Sequence, residues 1–292
     1  MKSFALVLLL ALLWGGSYPL LKVAVETIPP LTVVAIRALL AGLVLLAVLG
    51  PRVKVLGELA TGGSLRALAV QSAFTCVIPW ILIAWAIPAL DAGLAVILNS
   101  LSPIFIFLLT AFVTKHEPVT RRKFAGVALG LAGVVVIVGV DALAGVGTKT
   151  LAELACVLGA FSYAIAGVIG VRFARVTPLA PAAGTTLIAA AVLIPLALAF
   201  EQPWNLSPSR SSLVAVVAAA VFSTGLAMVI YFRLLATVGS IAMSSQAYLR
   251  ILVGVGLGMV FLGETPSPQA LVGLALVIAG VVAMTWPVRR TR

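Results

Sequence analysis

Charge is what this chain has least of. Asp, Glu, Lys and Arg make up 9% of its 292 residues, and hydrophobic residues make up 63%. A soluble domain holds about 25% charged and about 45–50% apolar residues, so a globular fold surrounded by water is excluded. A mean hydropathy of +1.25 agrees. Histidine occurs once, as His116, and cysteine twice, as Cys76 and Cys156. Neither cysteine has a second cysteine or a histidine at ligand spacing, so no metal site or disulfide framework is expected. Both read as small packing residues. No GxxxxGK[ST] phosphate loop is present, which excludes ATP hydrolysis by the chain itself. Gly254, Gly256 and Gly258 lie inside an apolar run, not in the strand–turn–helix setting of a dinucleotide site. No cofactor is therefore expected. No apolar run carries an acid near its middle, so a membrane-embedded enzyme would lack a carboxylate pair, a nucleophile with its base, or a metal cluster.

What is present is a series of apolar runs long enough to span a bilayer, which takes about 20 residues per helix. Ten are counted, at about 3–23, 30–49, 66–87, 92–113, 122–140, 151–171, 179–200, 211–233, 239–262 and 268–287. Turn-prone residues separate them, among them Pro29-Pro30, Gly62-Gly63, Glu117-Pro118, Gly239 and Pro266 to Pro268. The first run has no small-x-small cleavage site and reads as an uncleaved helix. Charge placement tests the count. With the N-terminus inside, fourteen of the nineteen basic residues fall in cytoplasmic ends and loops. Lys22, Lys149 and Arg210 fall outside, and Arg37 and Arg250 fall within runs. This is a positive-inside pattern with both termini cytoplasmic. The net charge of +11 therefore orients the chain in a lipid bilayer, and no nucleic-acid partner is expected.

One segment occurs twice. Glu117 to Val135 and Glu264 to Val282 share the glutamate, Gly126/Gly273, Ala128/Ala275, Leu129/Leu276 and a closing Ala-Gly-Val-Val, at an offset of 147 residues. Two halves, 1–140 and 150–288, share one plan. Five helices per half is an odd number, so the second half enters the membrane inverted. The fold expected is all-α and integral to the membrane, with ten transmembrane helices as two inverted five-helix repeats. Such halves place a small-molecule site between them at the midplane.

Trp14-Gly15, Lys22, Pro30 and Arg37 resemble the opening of the bacterial repeat called EamA. The two Glu-x(8)-Gly-x(5)-Ala-Gly-Val-Val segments resemble its closing part. The resemblance runs over nearly the whole chain. It implies the drug/metabolite transporter superfamily, with ten helices, inverted five-helix repeats and small-molecule transport, often export. Within it, the YddG-type exporters of aromatic amino acids have this length and character. One departure stands out. The family usually has a proline early in helices four and nine. Pro103 supplies the first, but position 250 is an arginine.

Arg250 lies about eleven residues into its run, where a charge costs a few kcal/mol unless it meets water, protein or a counter-ion. It reads as a cavity residue for a carboxylate, or as an arginine satisfied by helix-end carbonyls. Arg37 matches the family's helix-two arginine and reads as a gating or structural ion pair with Glu26 or Asp91, with direct substrate contact as the alternative. Lys22 reads as an interfacial anchor or a gate residue. Tyr18, Tyr163 and Tyr248 lie near the middle of their runs, away from the interfaces where Tyr and Trp concentrate. Tyr231, near the inner end of its run, reads as interfacial. Ser17-Tyr18 and Ser162-Tyr163 occupy matching places, and Asn99 and Gln246 match at the 147 offset. They read as cavity residues or as helix–helix hydrogen bonds worth about 0.6 kcal/mol each. Trp14, Trp80 and Trp85 add aromatic faces, lining the cavity or facing lipid. Pro79 and Pro103 mark bends, gating or static. Gly126 and Gly130 permit close helix packing. The expected function is a secondary exporter of small amphipathic metabolites, most of all amino acids, in a bacterial inner membrane. Multidrug efflux is the alternative, and a non-transporting scaffold or passive pore the alternative of another class. A monomer suffices for this reading.

Overall fold

The computed structural model describes residues 2–50, 64–114, 120–143, 147–244 and 246–285. Among these the chain is helical with no strand. Ten helical stretches follow in order: α1 (Ala5–Ala24), α2 (Pro30–Leu49), α3 (Leu65–Ala89), α4 (Ala92–Val113), α5 (Arg121–Leu143), α6 (Thr148–Phe173), α7 (Leu179–Phe200), α8 (Arg210–Val238), α9 (Gln246–Leu262) and α10 (Pro268–Thr285). Seven of them, α1 to α4 and α6 to α8, are long and apolar enough to cross a membrane. Phe200, Val260 and Phe261 are about three-quarters exposed, which suits a lipid-facing surface and not a water-facing one. His116 and Glu117 lie outside the described residues.

Local chemistry sets the helix ends. Pro30 opens α2, where its missing N–H costs nothing. The Glu201 carboxylate at the end of α7 accepts from the backbone N–H of Leu31 (2.9 Å) and Thr32 (2.6 Å) and from the Thr32 hydroxyl (2.8 Å). Glu264, after α9, does the same for α4, accepting from the N–H of Ala92 (2.7 Å) and Gly93 (3.1 Å). A carboxylate at a helix N-terminus satisfies orphan donors and complements the positive end of the dipole. The turn expected at Gly239 is absent, and the α8 helix runs on to Ser244. A lone glycine costs a helix only about 1 kcal/mol, too little to end it.

Several helices are irregular in their middles. α3 contains a π-helical turn at Ala73–Val77, just before Pro79, and α8 contains one at Ala219–Leu226. The two sit at corresponding places in the halves. Such turns recur at functional sites. α4 is interrupted at Ser100–Leu101. Pro103 has no N–H to offer, so the carbonyl of Asn99, four residues back, loses its helical donor.

The helices pack in mated pairs. α5 lies on α10, and α2 on α7. α1 packs on α8 and α9, just as α6 packs on α3 and α4. Exchanging each of these helices for its counterpart five places on reproduces these contacts. In lipid, helix association depends on close van der Waals fit between small residues. The α5–α10 seam shows this fit. A Cβ on Gly133 would meet the Gly273 carbonyl at 2.7 Å, and one on Gly280 would meet the Gly130 nitrogen at 2.6 Å.

Candidate functional site

A central cavity lies where the two halves meet. Its wall takes Trp14, Ser17, Tyr18 and Leu21 from α1, Arg37 from α2, Thr75, Trp80 and Ile83 from α3, and Ser102 and Ile106 from α4. The second half adds Tyr163 from α6, Ser223, Met228 and Tyr231 from α8, Met243 from its continuation, and Gln246 and Arg250 from α9. The cavity volume is small, about 50 Å³. The cavity is therefore narrow, with side chains closed in around it.

Two arginines supply the charge. Arg37 is 7% exposed and Arg250 4%. The Arg250 Nη2 donates to the Asn99 carbonyl (3.0 Å) and to Ser100 Oγ (3.1 Å), and Nε donates to the same hydroxyl (3.3 Å). The Asn99 carbonyl is the one that Pro103 orphans. It also belongs to the negative end of the Ala92–Asn99 helix, which favours a cation. Arg250 therefore completes the break in α4 and still reaches the cavity. Arg37 goes elsewhere than expected. Its Nε donates to Thr224 Oγ1 at 2.5 Å, and its guanidinium lies 4.6 Å from the Trp80 ring centroid. Among the described residues it forms no ion pair with Glu26 or Asp91. The reason is position: α2 packs against the π-helical part of α8, which carries Thr224.

The acids lie outside this wall. Lys22 Nζ donates to the Leu90 carbonyl (2.5 Å) and stands 3.3 Å from Glu264 and 3.8 Å from Asp91. This cluster ties α1, the α3–α4 junction and the α9–α10 loop together at the ends expected to be outermost. Glu153 of α6 is fully buried and is not part of the cavity wall.

The aromatic side chains sort by helix face. Trp80 is buried and Trp85 about half exposed. Five residues put them about 140° apart on a helix, so only the first reaches the cavity. Trp14 packs tilted against Tyr231 at 5.5 Å between ring centroids, and Tyr231 meets Phe232 edge-on at 5.0 Å. Tyr231 is thus a buried wall residue and not an interfacial one. Asn99 is fully buried but does not line the cavity; its Nδ2 donates weakly to the Cys156 carbonyl (3.4 Å). Its counterpart Gln246 does line the cavity, and among the described residues Oε1 of Gln246 and Oδ1 of Asn99 have no donor. Pro79 and Pro103 are buried, next in sequence to the wall residues Trp80 and Ser102. The side chain of Tyr248 lies outside the described residues. Thr75, Ser102, Ser223, Met228, Met243 and Tyr231 were missed in the sequence. Hydroxyls within otherwise apolar runs were the available signal for Thr75, Ser102 and Ser223. The methionines gave none.

The sequence profile of the EamA-like transporter family matches residues 1–139 and 150–286. This chain belongs to the EamA-like transporter family. Among curated relatives, it is 27% identical to the inner membrane transporter YedA of Escherichia coli K12, over 97% of this chain and 90% of that one. It is 27% identical to a probable amino-acid metabolite efflux pump of Salmonella typhimurium LT2, over 99% and 97% of the two chains. It is also 27% identical to a probable terminal-alkyne amino-acid exporter of Streptantibioticus cattleyicolor, over 99% and 94%. One solved crystal structure shares the fold with a TM-score of 0.67 at 23% identity, covering 99% of each chain. As a member of the EamA-like family, the chain is a multi-pass membrane protein and a transporter.

Proposed function

We propose that this chain exports small amphipathic metabolites, amino acids and their derivatives foremost, including aromatic ones, across a bacterial inner membrane. Residues 1–140 and 150–288 act as two inverted five-helix halves, with both termini cytoplasmic, and alternate access around the central cavity. The observation that carries this reading is the wall itself: aromatic rings and two buried arginines, drawn from both halves. The matching contacts of counterpart helices support two halves built on one plan. The names of the amino-acid efflux relatives support the substrate class.

In this reading Arg250 holds the substrate carboxylate. Trp14, Tyr18, Trp80 and Tyr163 face its apolar body, and Ser17 and Gln246 offer polar contacts. Asn99 acts through Arg250. The Lys22–Glu264–Asp91 cluster is the outer gate, and the irregular segments at Pro79 and Pro103 let α3 and α4 flex. Uptake of labelled amino acids into liposomes holding the purified chain, with and without an imposed pH gradient, tests the proposal. Saturable uptake of phenylalanine or tryptophan without the gradient supports a facilitative carrier. Saturation only with the gradient makes it proton-coupled. Linear uptake would point to a pore, and no uptake of any amino acid or derivative would refute the proposal.

A further inference from the structure

We infer that the substrate carries a net negative charge, as an organic acid without a free ammonium group does, an N-acylated amino acid for example. The inference rests on the transporter reading above and narrows its substrate class. Two guanidinium groups stand in one narrow wall, and among the described residues no Asp or Glu shares it. The partners of both are neutral. Arg37 has the Thr224 hydroxyl and the Trp80 ring. Arg250 has the Asn99 carbonyl and the Ser100 hydroxyl. Three of the acids are engaged elsewhere, Glu264 and Asp91 with Lys22 and Glu201 with the start of α2, and the buried Glu153 is not part of that wall.

A buried cation without a counter-ion is costly, and neutral dipoles offset only part of that cost. The end of the Ala92–Asn99 helix supplies about half a negative charge to Arg250. Arg37 has no helix end of this kind. The balance is closed best by an acidic group that the substrate brings. A zwitterion brings a carboxylate but also an ammonium, which would then lie among two arginines with no carboxylate in the wall to receive it. Blocking the amino group removes this repulsion and keeps the apolar body for Trp14 and Tyr231 to cover.

The test is calorimetric binding to the purified full-length chain, which reads recognition independently of flux. Three probes differ only in charge: N-acetyl-L-phenylalanine, L-phenylalanine and L-phenylalaninamide. The acetylated acid is expected to bind about tenfold more tightly than phenylalanine, with no binding of the amide. Arg37→Gln should bring the first two affinities together, whereas Arg37→Lys should keep most of the preference. Phenylalanine binding as tightly as its acetylated form would overturn the inference, as would an unchanged preference in a folded Arg37→Gln chain or no binding of any probe. Saturable phenylalanine flux alongside any of these results would leave the transporter reading standing and remove this one alone.

Discussion

α4 and α9 hold equivalent positions in the two halves, yet they are built on opposite solutions to one problem. α4 is broken at Ser100–Leu101 and carries Pro103. α9, helical from Gln246 to Leu262, matches α4 from its break onward and carries Arg250, 147 residues after Pro103. The proline removes a donor from the Asn99 carbonyl, and the arginine at the mated position supplies one. The two departures from helical symmetry thus belong together. One half provides an opening in its backbone, and the other provides the charge that fills it. A repeat protein has used the position where its halves differ to place an asymmetric group beside its cavity.

Making the halves alike should do the most damage. Arg250→Pro would break α9 at a cost of about 3 kcal/mol or more and remove the donor to Asn99. Thermal unfolding of the purified chain should fall sharply and transport should vanish; near-normal unfolding would mean that α9 does not need to stay straight. Arg250→Gln is milder. It leaves the helix intact but leaves the Asn99 carbonyl poorly satisfied, a loss of about 1–3 kcal/mol. Transport of carboxylate-bearing substrates should drop by at least about tenfold, read as kcat/KM. Pro103→Ala sharpens the comparison by restoring an N–H to Asn99. In the cycle with Arg250→Gln, the two changes should couple by about 0.5–3 kcal/mol; strict additivity would show that the two positions are independent. The smallest effect is expected from Glu264→Gln, which weakens the cap on α4 by about 1 kcal/mol and loosens the contact with Lys22. Faster hydrogen exchange confined to the start of α4 would mark it.

Seven of the ten spans were legible in the sequence as long apolar helices, because bilayer thickness fixes helix length. The cavity was legible in part. Tyr18 and Tyr163 stood out as polar groups at midspan depth, and Arg250 as a buried charge. Helix phase was not legible where both faces are apolar, so Trp80 and Trp85 looked alike until α3 was packed. Arg37 was misread because its partner Thr224 lies 187 residues away, and nothing local announces a contact between α2 and α8. Tyr231 was misread because Gly239 looked like a helix end. With the helix continuing to Ser244, Tyr231 sits in the wall and not at a membrane interface.

The most direct test of the account is uptake of labelled phenylalanine and N-acetyl-phenylalanine into liposomes holding the wild-type chain or Arg250→Gln. The account predicts saturable uptake of at least one of the two by the wild type, with kcat/KM at least about tenfold lower in the folded variant. Equal kinetics in the two proteins would contradict the account, because Arg250 would then be only a structural donor to α4.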